Sequence, residues 1–100
     1  MQEHEHVVDI LIKTKEAVIK GDLVILKSLS DQTIHSATIF QDTDNVLVAI
    51  LVYSLGKLLE RKKNFPEKNF NNYLKFYLDT LDYSIKSLKN DSGLFFHSRI

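Results

Sequence analysis

The chain predicts an all-α fold: a single-domain antiparallel helical bundle of four main helices around a buried central helix at 44–63. Three observations carry this. Residues 44–63, DNVLVAILVYSLGKLLERKK, hold eight consecutive apolar or aromatic residues from Val46 to Tyr53 and continue through Leu55, Leu58 and Leu59. Further on, Phe70, Leu74, Tyr77, Leu81, Ile85 and Leu88 step by four, three, four, four and three, which is helical periodicity. Three glycines and one proline in 100 residues suit long helices better than a many-turned sheet.

The central stretch comes first because the others are expected to cover it. An apolar run of eight can be a buried strand or a buried helix, and Val46, Val48, Ile50 and Val52 favour a strand by propensity. Two features favour the helix. Three-and-four spacing persists beyond the length of a usual strand. Asp42 and Asp44 precede the run while Arg61, Lys62 and Lys63 close it, as a helix dipole prefers. A helix apolar on nearly all sides needs neighbours all round, so Asp44–Lys63 is expected to be the most buried element.

In chain order, residues 3–20 read as a helix with Val7, Leu11 and Val18 on one face, Ile10 and Ala17 beside them, and Thr14 interrupting the stripe. Glu3, Glu5 and Lys20 suit its dipole. Gly21 is expected to be a left-handed C-cap and Asp22 the next N-cap. Residues 22–42 read as a helix broken at about Ser30. Leu23, Leu26 and Leu29 are in register in its first part, and Ile34, Ala37 and Phe40 or Gln41 are expected to be buried in its second. The β-branched Thr33, Ile34, Thr38, Ile39 and Thr43 oppose that second part. Gln41 to Asp44 supplies turn and cap before the central helix. Pro66 ends that helix by disfavouring helical geometry at Phe65. Residues 67–89 form the last main helix, expected to lay its stripe on the central one, with Leu78 widening the face and Phe76 and Tyr83 at its edges. Asn90 to Gly93 has turn chemistry, and 91–100 is expected to be a short terminal helix or tail. No linker divides 1–100.

Composition narrows the function classes. Apolar residues at 44% exclude a disordered chain. The absence of cysteine excludes disulfides and thiolate zinc sites, and fits a cytoplasmic protein. Basic and acidic residues number 13 each, so bulk attraction to nucleic acid or an anionic membrane is not indicated. The N-terminal MQEHEH has no signal-peptide pattern. The longest uncharged stretch around the central helix, Asn45 to Gly56, is shorter than the about 20 residues a span needs. No membrane partner is expected.

The segment TIHSATIFQDTD, followed after Asn45 by VLVAILVYSLGKLLER, resembles a family of small, uncharacterised helical proteins from archaeal genomes. The similarity covers about residues 7–90 and is densest across 33–61. That resemblance implies a helical fold, and no catalytic role is carried over from it.

Residues able to carry chemistry are sparse. His4 and His6 share a face only if the chain is extended there; a frayed terminus is the simpler account. His35 falls among Asp31, Asp42 and Asp44, and a carboxylate such as Asp42 could orient its ring for general-base or metal chemistry. A capping or hydrogen-bonded structural histidine is the commoner outcome. Lys57, Arg61, Lys62, Lys63 and Lys68 form the basic cluster, with Phe65 and Phe70 nearby, a pattern that can hold single-stranded nucleic acid. Lysine and arginine at a helix C-terminus need no such explanation. Phe76 and Tyr83, seven residues apart, project in nearly the same direction, and Leu94, Phe95 and Phe96 add a second apolar group, so a homodimer interface is expected through the last helix and the tail. No catalytic residue, cofactor or metal site is assigned. The leading expectation is a non-enzymatic helical module acting by self-association, as a homodimer, or by protein–protein interaction. A nucleic-acid-associated accessory protein using the 57–68 cluster comes second, and a small metal-dependent or acid/base enzyme centred on His35 third.

Overall fold

Short capped turns between long apolar-striped segments produce the architecture. The computed structural model describes residues 2–89, with side chains from residue 6 onward. These residues form α1 (Gln2–Lys20), α2 (Leu23–Phe40), α3 (Thr43–Glu60), a 3-10 turn at Lys62–Asn64 and α4 (Glu67–Lys89). Among the described residues no strand occurs. The expected terminal helix or tail at 91–100 lies outside the described residues.

Local chemistry fixes the turns. Gly21 takes φ 70°, its N–H donates to the Val18 carbonyl, and the Asp22 N–H donates to the Ala17 carbonyl. That pair of bonds is the Schellman closure of a helix. Asp22 then caps α2 by accepting from the Ile25 N–H at 3.1 Å. At the far end Gln41 is left-handed at φ 55°, and its N–H closes α2 on the Ala37 carbonyl. Asp42 caps α3: one carboxylate oxygen accepts from the Asn45 N–H and the other from Asn45 Nδ2, both at 2.8 Å. Phe65 before Pro66 is extended, as steric conflict with the proline ring demands.

The core follows the apolar stripes. On α1, Val7, Ile10, Leu11, Ala17 and Val18 are all buried. Thr14 is buried with them, since its hydroxyl donates to the Ile10 carbonyl at 2.7 Å and so keeps its polar group satisfied. Phe70, Leu81 and Leu88 of α4 are buried, and Leu74, Tyr77, Leu78 and Ile85 are partly so. Leu51, Val52, Leu55 and Leu58 are the α3 contribution, and Leu26 and Leu29 that of α2.

Three expectations are corrected. There is no break at Ser30, because α2 runs unbroken from Leu23 to Phe40. Leu26, Leu29, Ser30 and Thr33 form one buried stripe there, and Thr33 donates to the Ser30 carbonyl at 2.9 Å. Packing against α3 therefore outweighs the poor helix propensity of the β-branched residues. Ile34 and Phe40, expected inside, are exposed, and Ala37 is half-buried. Secondly, α4 packs more extensively on α1 than on α3, with Lys15 and Asp82 paired at 2.6 Å between the two. α2 already occupies much of α3, so the α4 stripe meets α1. Thirdly, α3 is not surrounded: Val46, Ile50 and Tyr53 are 40%, 56% and 48% exposed.

One core group has no partner. Ser84 is fully buried on α4, and its hydroxyl makes no hydrogen bond. Burying an unpaired hydroxyl costs about 1–3 kcal/mol, and alanine is the better helix former. Ser84→Ala is therefore expected to raise stability by about 1 kcal/mol in urea unfolding. A loss of stability would show that the hydroxyl has a partner in solution.

Candidate association surface

The exposed residues of α3 have a spacing of their own. Val46, Ile50 and Tyr53 step by four and three along one exposed face, which the half-buried Lys57 continues. On the adjoining helix Leu23, Lys27, Ser30 and Ile34 step by four, three and four. Leu23, Lys27, Ser30 and Ile34 of α2, with Tyr53 and Lys57 of α3, border an open groove of about 100 Å³, and Val46 and Ile50 lie outside its lining. Leu26, Ser30 and Gly56 line it along with Leu23, Ile34 and Tyr53, while Lys27, Asp31, Lys57 and Glu60 supply its charges.

Gly56 is the unusual member. It is helical, so its backbone makes no demand for glycine, and a Cβ built on it meets nothing within 4 Å. Glycine inside a helix costs about 1 kcal/mol relative to alanine. Among the described residues nothing packs where a side chain at Gly56 would stand. What its missing side chain does is leave the wall of the groove low.

The charges differ in their engagement. Lys57 pairs with Glu60 at 3.4 Å and stands 5.4 Å over the Tyr53 ring. Lys27 and Asp31, one turn apart on α2, are both exposed and make no ion pair or hydrogen bond among the described residues.

A second apolar surface lies on α4. Phe76 and Tyr83 are 65% and 60% exposed, and the Phe76 ring meets Tyr77 edge-on at 5.7 Å. Leu94, Phe95 and Phe96, expected to extend that surface, lie outside the described residues.

The basic corner between α3 and α4 brings Lys62 to 5.3 Å from the Phe70 ring, and Phe65 meets Tyr73 edge-on at 5.5 Å. Arg61, Lys63 and Lys68 are exposed there. Phe70 is buried under Lys62, so its ring face is closed to a stacking base, and Lys57 is turned toward the groove.

The histidine candidates are not assembled into a site. His35 is exposed and makes no hydrogen bond. Asp42, considered as its orienting carboxylate, has both oxygens bound to Asn45. Among the described residues no group of three or more His, Asp or Glu is placed to hold a metal. His6 is exposed, and the His4 side chain lies outside the described ones. The shifted titration is that of Lys75, raised by its hydrogen bond to Asp79 at 2.7 Å and by that carboxylate's charge.

Sequence reasoning passed over the α2–α3 seam. Its signal was present, since Val46, Ile50 and Tyr53 on α3, and Leu23, Lys27 and Ile34 on α2, recur at helical spacing beside the buried stripes, but the apolar residues of α3 were all assigned to the core. Comparison with known proteins gives no matching family model, no matching curated protein and no matching solved structure. No described helix is long and apolar enough to cross a membrane.

Proposed function

We propose that this chain is a non-enzymatic helical module that works by association with protein, in the first place with itself as a homodimer. The observation that carries this reading is the apolar face of the α2–α3 pair, where Leu23, Ile34, Val46, Ile50 and Tyr53 are all exposed on one small domain. Contiguous exposed apolar patches generally mark an interface, and two-fold pairing is the commonest way to close one. The two-residue connections Gly21–Asp22 and Gln41–Asp42 support antiparallel neighbours in a bundle. The lack of cysteine supports a reducing, cytoplasmic setting. Kinship with small archaeal helical proteins belongs to the same reading and rests on residues 33–61.

A nucleic-acid role is less supported, because the basic corner offers few free aromatic faces. Light scattering over a concentration series tests the proposal. The mass is expected to climb from 11.6 kDa toward twice that value as the chain is concentrated. A mass that stays at 11.6 kDa into the high micromolar range would end it.

A further inference from the structure

We infer that the α2–α3 groove is a two-fold self-docking site, in which a second copy of this chain lays its own α2–α3 face antiparallel across it, with Gly56 marking the closest approach. The inference rests on the association reading above and assigns it a place and a symmetry.

The area reaches the low end of what a specific pair buries. Helices α2 and α3 have 18 residues each, so the face is about 27 Å long, and two helices side by side are about 20 Å wide. Its plan area of roughly 540 Å², with relief adding to it, approaches the ~800 Å² per partner that stable pairs bury. The exposed side chains across it are those of Leu23, Ile34, Val46, Ile50 and Tyr53, which suits a helix-in-groove contact.

Charge selects the occupant. The rim carries Lys27 and Lys57 against Asp31 and Glu60, so it is neutral in sum and mixed in sign. A strongly acidic or basic partner finds no complement there, but a copy of the same face does. Lys27 and Asp31 are one turn apart and unpaired among the described residues. A two-fold axis crossing α2 between them sets Lys27 against Asp31 of the partner subunit, and Asp31 against the partner's Lys27. An isologous contact makes every such pair twice.

Gly56 supplies the independent observation. Neither its backbone nor its neighbours require glycine, yet it stands in the wall of this groove. Glycine at a helix–helix contact lets the second helix come closer than any side chain would allow.

The test measures fold and association separately. Gly56→Ala should raise the melting temperature of the dilute, monomeric chain by about 4–8 °C, yet raise the dimer dissociation constant about tenfold or more by ultracentrifugation. Lys27→Glu should weaken the dimer about fivefold or more, and Lys27→Glu combined with Asp31→Lys should restore it, because the cross-pairs re-form with reversed sign. Phe76→Ser with Tyr83→Ser should leave the dissociation constant unchanged. If the native chain dimerises but only the Phe76 and Tyr83 changes weaken it, the groove is not the site and the association reading survives. A Gly56→Ala chain that gains thermal stability and dimerises undiminished also overturns the groove assignment. If the native chain never dimerises, both fall together.

Discussion

A Leu55→Asp chain is expected to be unfolded at room temperature, with its helical circular dichroism lost. Leu55 is fully buried in one cluster with Leu11, Leu26, Leu51, Val52 and Leu81, side chains drawn from all four helices. Removing a buried leucine side chain costs about 2–5 kcal/mol through lost transfer energy and the cavity left behind. An ionised carboxylate placed there has no cationic partner in the cluster, which adds several kcal/mol more. The sum is on the order of the whole stability of a small domain, about 5–15 kcal/mol. Leu55→Ala separates the two contributions, because it keeps the cavity and omits the charge. That chain should stay folded and lose about 2–5 kcal/mol in denaturant titration. If Leu55→Asp melts like the native chain, Leu55 is not at the centre of the core.

Asp42→Ala is expected to lower stability by about 2–4 kcal/mol, far more than a substitution at an exposed turn usually does. Asp42 does two jobs with two oxygens. Its bond to the Asn45 N–H caps α3, and loss of such a cap costs about 0.5–2 kcal/mol. Its bond to Asn45 Nδ2 satisfies an amide that is only 5% exposed. Without the carboxylate that amide is left unpaired, at a further cost of about 1–3 kcal/mol. The double variant Asp42→Ala with Asn45→Ala distinguishes the parts. It should recover some of the loss, because the orphaned amide is gone while the missing cap remains. If the single variant loses only a few tenths of a kcal/mol, the Asp42–Asn45 pair does not persist in solution.

The turns were the most legible part of this chain, and for a physical reason. Gly21, Asp22 and Asp42 act on backbone groups within five residues of themselves, so sequence neighbours contain the whole interaction. The apolar stripes of α1 and α4 were legible on the same ground, since periodicity reports which face a helix buries. It does not report what that face meets. The Phe70 to Leu88 stripe read the same whether its neighbour was α3 or α1, and only the packing of the whole chain decides for α1. Ser30 misled in the opposite way. A serine followed by β-branched residues is a poor local case for a helix, and the buried Leu26–Leu29–Ser30–Thr33 stripe against α3 supplies what the local sequence lacks. Val46, Ile50 and Tyr53 could not be told from core residues by hydrophobicity, because exposed and buried apolar side chains read the same in a sequence. Gly56 was visible as an isolated glycine, and its meaning depends on the empty space beside it.

The pairing of Lys15 with Asp82 joins positions 67 residues apart, whereas α2 and α3 meet across only Gln41 and Asp42. Closing a long loop is entropically dearer than closing a short one, and contacts distant in sequence form more slowly. Sequence separation therefore favours the helical hairpins forming before α1 and α4 meet. The outer face of the α2–α3 hairpin would then exist before that last step is complete. Were two chains to pair through that face as proposed, their encounter could precede closure of either one, and pairing would hold together a nucleus to which the terminal helices have yet to dock. On the proposed pairing, the folding rate would depend on protein concentration as well as on the chain's own collapse.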